Sequence, residues 1–246
     1  MANILFLFEG AVTENQYYKV IEKSLEGKIT SNVNFYCYKT NIYTLYDELK
    51  RDPSLDILSL IIEKARRQNE TEDLEMLSNN NFGEIFLIFD LDPQDERYNE
   101  NKIDKMLNFF DNETEHGKLY INYPMVESFK HFTEIPDENY NEYKIKLTQC
   151  STYKKEVAKL SCINDYRKVS KEQFFCISKQ NALKASILIN KNERCDFESY
   201  RKFITQKNIY KVQKEEIDRK GELYILNTFC LWPLDYFRKE FYESIF

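Results

Sequence analysis

The sequence predicts an α/β fold, with a mainly parallel sheet flanked by helices and a helical C-terminal region. Over residues 1–123, short continuous apolar runs alternate with segments of helical periodicity, and continuous apolarity is typical of strands covered on both faces. From about residue 137 onward the patterns are helical and no convincing strand is found. A chain of 246 residues with 42% hydrophobic residues can bury a sizeable core.

Apolar runs bounded by polar or turn residues predict four strands, at 3–8, 33–38, 84–89 and 119–123. Thr13 is the predicted N-cap of a helix after the first strand. Apolar spacing predicts the other helices, at 54–68, 101–110, 153–161, 171–190, 196–208 and 232–245. The polar stretch at 135–143 predicts a junction between an acidic core at 1–136, with a helical insertion near 45–80, and a helical, basic subdomain at 137–246.

Several classes of protein are disfavoured by composition. No window approaches the roughly 18 apolar residues of a membrane span, so we expect no membrane partner. The start MANILFLFEG lacks the basic region of a signal peptide, which predicts a cytoplasmic protein. The six cysteines form no C-x-x-C pair and only two histidines are present, so we expect free thiols rather than a zinc site.

The charge is unevenly distributed along the chain. The formal net charge is −6, made of −14 over residues 1–143, +10 over 144–220 and −2 over 221–246. Carboxylates can hold metal ions, and a basic surface can hold a polyanion, so the two segments suggest two tasks. The alternative is that lysine-rich helices only solvate their outer faces.

Acidic residues follow three of the predicted strands. Glu9 follows the first strand, with Glu14 shortly after it; Asp90 and Asp92 follow the third; Glu127 follows the fourth. The carboxyl ends of parallel strands meet at one edge of a sheet, where ligands commonly bind. Carboxylates gathered there suit Mg²⁺ or Mn²⁺. Each residue alone also fits an ordinary strand end, loop or helix start.

Two motifs carry a resemblance to a known family. FLFEGAVTE at 6–14 and FLIFDLDPQD at 86–95 resemble the strand–Glu-Gly and strand–Asp-x-Asp motifs of the TOPRIM superfamily. Within it, the pattern is similar to prokaryotic defence nucleases of the overcoming-lysogenization-defect type and their RloB-like relatives. YPMVESF at 123–129 stands where those relatives carry an Asn-Pro-x-x-Glu-like element. The resemblance covers residues 4–130.

The resemblance implies a TOPRIM-like, metal-dependent nuclease that cleaves RNA, with tRNA as one candidate, or DNA. Glu9, Asp90 and Asp92 would be catalytic, and Asp90 and Asp92 would hold Mg²⁺ or Mn²⁺. Glu9 would serve as a general acid/base or as a metal ligand, and Glu14 and Glu127 would complete the metal shell or a second site. The resemblance further implies an antiphage effector that is held inactive until triggered and works with a partner ATPase; a homodimer is also expected.

The basic stretch, residues 144–220, is then the surface expected to bind nucleic acid. Its interleaved aromatic residues would stack on bases if exposed, and binding should weaken steeply with salt. The alternative for each cation is simple solvation. The predicted substrate-binding residues are Lys130, Lys154, Lys155, Lys159, Arg167, Lys168, Lys179 and Lys184.

Two other functions remain open. FLIFDLDPQD also resembles the opening motif of haloacid-dehalogenase-like phosphatases, in which Asp90 would be the nucleophile and Asp92 the acid/base. Against this, a strand–Glu-Gly motif precedes it by some 80 residues, and Gln94 stands where that family commonly has Thr or Val. The third function is a non-catalytic interaction protein on a TOPRIM-like core, which predicts carboxylates that do not converge.

Overall fold

The computed structural model describes residues 3–52, 56–190 and 196–246, and it confirms the predicted α/β class with a mostly parallel sheet. The sheet order is β2-β1-β3-β5-β4. Four strands run parallel, while β4 pairs antiparallel with β5 at one edge. The strands are β1 (Asn3–Phe8), β2 (Asn32–Cys37), β3 (Phe82–Asp90), β4 (Asp111–Asn112) and β5 (Gly117–Asn122).

Five helices connect these strands: α1 (Thr13–Ser24), α2 (Ile42–Arg51), α3 (Ile57–Arg67), α4 (Thr71–Asn79) and α5 (Glu100–Phe109). Helices α2 to α4 occupy the segment predicted as a helical insertion, and positions 54 and 55 of the predicted helix 54–68 lie outside the described residues. Thr13 is the first residue of α1 rather than its cap; the cap is Val12, which makes no side-chain capping bond.

The region after residue 137 is mainly helical, but it also contains two strands that the sequence did not indicate. β6 (Lys144–Lys146) pairs antiparallel with β7 (Glu222–Tyr224). The predicted helix 196–208 is two helices, because the hydroxyl of Thr205 caps a new one by accepting from the Asn208 N–H at 3.2 Å. The helices are α6 (Tyr153–Leu160), α7 (Lys171–Asn190), α8 (Phe197–Phe203), α9 (Gln206–Lys220), α10 (Trp232–Tyr236) and α11 (Lys239–Ile245).

The C-terminal region packs on the sheet and shares its hydrophobic core. The Trp232 ring is fully buried, and its centroid lies 5.1 Å from that of Phe6 on β1 and 5.8 Å from that of Phe86 on β3. Tyr17 on α1 and Cys230 are joined by a buried 2.6 Å hydrogen bond. The hydrophobic core therefore extends across the boundary predicted at residue 136.

The described cysteines are free thiols, of which Cys150 and Cys230 are buried; Cys195 lies outside the described residues. Within the described ranges, no helix combines the length and the apolar character needed to cross a membrane.

Candidate functional site

The carboxyl ends of β1 and β3 are joined through an acidic side chain. Glu9 directly follows β1, and Asp90 is the last residue of the adjacent β3. The Glu9 carboxylate accepts a hydrogen bond from the backbone N–H of Asp90, with Oε2 3.1 Å from the nitrogen. This bond brings together two predicted site residues that are far apart in sequence.

The turn after β3 directs Asp92 back toward this cluster. Asp92 has φ +43°, in the left-handed region that non-glycine residues seldom occupy. Asp92, which the sequence places with Asp90 after the strand, thus lies in a left-handed turn rather than in extended backbone. The turn is held at the buried Leu91, whose N–H lies 3.1 Å from the Asn122 carbonyl oxygen, and whose own carbonyl accepts from the Tyr43 hydroxyl.

Gly10 allows Glu14 to approach the end of β1. The Gly10 N–H donates to Glu14 Oε1 at 2.8 Å, and Glu14 is buried in the first turn of α1. A Cβ atom at position 10 would lie 2.9 Å from Glu14 Oε2, closer than real Cβ atoms approach an oxygen. A larger residue at position 10 would therefore force the Glu14 carboxylate to move.

Glu127 completes the acidic group from the other side. It lies in a 3₁₀ helix, Val126–Lys130, that follows β5. Its side chain is 10% exposed and accepts from Lys154 Nζ on α6 at 2.6 Å. Both Glu127 and Glu14 act electrostatically on Asp90. Glu9, Asp92, Glu14 and Glu127 thus all lie within electrostatic range of Asp90, and among the described residues Lys154 supplies the one ammonium paired with this group.

Burial and mutual repulsion raise the pKa of four of these carboxyls. For Glu9 the pKa rises to about 8, mainly through burial and then through the nearby Asp92 charge. The pKa of Asp90 is raised well above its usual range, first by burial and then by Glu9. Burial is also the main cause of the raised pKa of Glu14 and Asp92. A proton or a cation is needed to relieve this repulsion.

The donor atoms fit a hard divalent cation in their chemistry. Carboxylate oxygens are the ligands that Mg²⁺ and Mn²⁺ prefer. As the side chains are placed, however, no three acidic, His or Cys side chains in the described ranges form a ready metal-binding group. Binding of an ion would therefore require some of the five carboxylates, Glu9, Glu14, Asp90, Asp92 and Glu127, to turn toward it.

The predicted substrate-binding cations differ in exposure and in the groups they contact. Lys130 and Lys154 line a cavity beside Glu127. Lys155, Lys159 and Lys168 are exposed. Arg167 pairs with its neighbour Asp165 at 2.8 Å, and Lys179 is half-buried with its Nζ 5.7 Å from the Phe246 ring centroid.

Lys184 was predicted to bind substrate, and the structure corrects this. It is fully buried on α7, and its ammonium donates to the carbonyls of Tyr140 at 2.7 Å and Tyr143 at 2.8 Å. Its role in these contacts is to satisfy backbone carbonyls inside the protein. Of the aromatic residues interleaved in the basic stretch, Tyr153, Tyr166 and Phe174 are buried, so their rings are not platforms for bases.

Asn122 is a residue of the site that the sequence reasoning missed. It ends β5 in register with Asp90 and is fully buried. Its Oδ1 accepts from the Phe229 N–H at 3.3 Å, while its Nδ2 has no hydrogen-bond partner among the described residues. A polar residue closing an apolar strand was the signal that could have identified it.

Comparisons of the chain with protein-family models, with curated proteins and with solved structures each return no match. The functional argument therefore depends on the residues and geometry described above.

Proposed function

We propose that this protein is a metal-dependent nuclease that hydrolyses phosphodiester bonds. The observation that carries the proposal is the hydrogen bond from the Asp90 N–H to the Glu9 carboxylate, which unites the acidic ends of two adjacent parallel strands. Asp90, Asp92 and Glu9 would hold Mg²⁺ or Mn²⁺, with Glu14 and Glu127 completing the ligand set.

The chemistry divides between the metal and the protein. When bound, a divalent ion activates water near neutral pH and stabilises negative charge on phosphoryl oxygens. Glu9 would act as a ligand of that ion or as a general acid or base, and its pKa of about 8 is that of the protein without the ion. Lys154 carries a positive charge next to Glu127 and can contact a substrate phosphate once the ion takes its place.

The finer assignments follow from the resemblance of residues 6–14 and 86–95 to defence nucleases. We propose RNA, with tRNA as one candidate, or DNA as substrate, and a cytoplasmic antiphage role. A partner ATPase and a homodimer belong to the same proposal.

A phosphatase is the second candidate, because Asp90 and Asp92 close a parallel strand as an Asp-x-Asp pair. In that mechanism Asp90 attacks phosphorus, and Glu9 has no necessary part. Variants of these two residues therefore separate the two enzymes. An interaction protein would need neither carboxylate for its binding.

The test is to incubate the purified protein with tRNA, single-stranded RNA and plasmid DNA in Mg²⁺, Mn²⁺ or EDTA. Glu9→Gln and Asp90→Asn remove one charge each with little change in volume. Glu63→Gln is the matched control, because Glu63 is an exposed carboxylate on α3. A generic phosphomonoester is assayed in parallel.

The nuclease proposal is supported if the wild type and Glu63→Gln cut nucleic acid only with metal present. Both Glu9→Gln and Asp90→Asn must have lost this cutting. Phosphate release that needs Asp90 but not Glu9 supports the phosphatase instead. If cutting persists in EDTA or in both cluster variants, the carboxylates are not the catalytic site and the proposal is wrong.

A further inference from the structure

A cavity of about 240 Å³ opens beside the acidic cluster. It lies between the first turn of α1, the 3₁₀ helix Val126–Lys130 and helix α6 with the loop that follows it. Its volume is just below the roughly 300–1,000 Å³ of typical ligand pockets, so it suits a small group rather than a large ligand. The lining residues are Thr13, Gln16, Glu127, Lys130, Lys154, Val157, Ala158, Ile163, Asn164 and Tyr166.

Lys130 is the unusual group in this cavity. Its side chain is half-buried, with Nζ 4.1 Å from the ring centroid of Tyr166. Among the residues that the structure describes, no carboxylate lies within ion-pair distance of it. Burial lowers the pKa of Lys130, and the nearby Glu127 and Asp165 charges oppose this shift only in part. A bound anion would give this ammonium a hydrogen-bonding partner in addition to the Tyr166 ring.

The Glu127 carboxylate would repel an anion, but it is already paired. Lys154 Nζ lies 2.6 Å from Glu127 Oε1, so the cavity has one cation neutralised by Glu127 and a second, Lys130, without a carboxylate. A phosphate at Lys130 would therefore be attracted by that ammonium and by Lys154, against the opposing charges of the Glu127 and Asp165 carboxylates.

The other walls match the remainder of a nucleotide. Val157 and Ile163 are buried apolar residues, and Ala158 adds a small exposed one. Thr13, Gln16 and Asn164 offer neutral hydrogen-bonding groups at the rim. A free phosphate would use the cation alone and would make no contact with these apolar side chains.

We infer that this cavity is a subsite for one nucleotide of the substrate, with its phosphate at Lys130 and its sugar or base along Val157, Ala158 and Ile163. The inference rests on the proposed nuclease function, which supplies the reason for a polynucleotide to reach this surface. It places the strand beside Glu127, next to the carboxylates that would hold the metal.

The experiment measures binding in EDTA, so that no strand is cut. Thermal shifts are recorded with adenosine monophosphate, inorganic phosphate and adenosine. Anisotropy of a labelled single-stranded oligonucleotide is measured over a range of salt concentrations. The variants are Lys130→Met, Lys130→Arg and Ala158→Leu, which fills the cavity from an exposed position. Lys211→Met, an exposed lysine on α9, is the control.

We expect the monophosphate to stabilise the wild type more than phosphate or adenosine does. Lys130→Met should weaken oligonucleotide binding about tenfold and lower the salt slope by about one. Lys130→Arg should retain most of the affinity. Ala158→Leu should remove the response to the monophosphate, which keeps the test valid even if Lys130→Met folds poorly.

Equal shifts with phosphate and monophosphate would overturn the inference in favour of a phosphate-only site. Unchanged binding in both Lys130→Met and Ala158→Leu would also overturn it. If metal-dependent cutting is present in that case, the nuclease stands without this subsite. If cutting is absent but monophosphate binding depends on Lys130, the subsite stands and the nuclease proposal fails.

Discussion

The carboxylate of Glu9 accepts a hydrogen bond from the backbone N–H of Asp90, 81 positions further along the chain. Because β1 and β3 are adjacent and parallel, this bond connects two strand ends at one edge of the sheet. It also holds one carboxylate close to others, which places like charges in a partly buried region. The protein without a metal ion must therefore retain a proton there, and that requirement has measurable consequences.

The first prediction is that Glu9 makes the metal-free protein less stable as the pH rises. Its pKa is 4.5 as a free side chain and about 8 in the folded protein. Between these values the folded state keeps a proton that the unfolded state releases, so stability falls with pH and levels off above about 8. The slope from this one group cannot exceed about 1.4 kcal/mol per pH unit. Denaturant unfolding in EDTA from pH 5 to pH 9 measures it.

Glu9→Gln provides the reference for that measurement, because glutamine does not titrate. As the pH rises, the unfolding free energy of the wild type should fall relative to that of Glu9→Gln. Parallel curves for the two proteins would show that Glu9 keeps an ordinary pKa. Saturating Mg²⁺ should reduce the slope of the wild type, since the ion replaces the proton.

The second prediction concerns the close approach of Gly10 to Glu14. In Gly10→Ala the new methyl group would lie 2.9 Å from Glu14 Oε2, so the carboxylate must move and its hydrogen bond to the backbone is weakened. We expect a loss of about 1–3 kcal/mol in unfolding free energy. Denaturant unfolding in EDTA measures this loss.

A double-mutant cycle shows whether the Glu14 carboxylate causes the loss of stability in Gly10→Ala. If the loss comes from the Glu14 carboxylate, Gly10→Ala should cost clearly less when Glu14→Ala is already present. Equal costs in both backgrounds would mean that position 10 requires glycine for another reason.

The strand ends of the site could be predicted because continuous apolar runs ending in acidic residues carry a strong signal. Glu9 and Asp90 lie at the ends of β1 and β3, where the sequence placed them. The turn at Asp92 could not be predicted in the same way. Its left-handed backbone depends on contacts of Leu91 with Tyr43 and with Asn122, which belong to distant segments.

The short strands β6 and β7 were missed for a related reason. Each has three residues, too few for an alternating pattern, and they pair across more than 70 positions of sequence.

Lys184 was misjudged because a lysine on a helix normally faces water. What determines its burial is the presence of two carbonyls, those of Tyr140 and Tyr143, at the position its ammonium reaches.

The third prediction follows from that burial. Lys184→Met keeps the length of the side chain but leaves the carbonyls of Tyr140 and Tyr143 without their donor. We expect the free energy of unfolding to fall by about 2–3 kcal/mol, which corresponds to a decrease in Tm of roughly 4–12 °C. Lys211→Met, at an exposed position, should leave Tm nearly unchanged. A Lys184→Met protein as stable as the wild type would contradict the assigned hydrogen bonds.

The fourth prediction concerns the competition between Lys154 and a metal ion for the acidic cluster. The Lys154 ammonium pairs with Glu127 at 2.6 Å, although the lysine side chain is 70% exposed. Lys154→Met removes this positive charge, so the metal-free protein should lose at most about 1 kcal/mol of stability. A divalent ion then has no ammonium to displace. We therefore expect the midpoint of a Mg²⁺ titration, followed by thermal shift, to move to a lower concentration by about three- to tenfold. The control variant Lys211→Met should have the same Mg²⁺ midpoint as the wild type. If the midpoint of Lys154→Met is unchanged or higher, Lys154 does not compete with the ion.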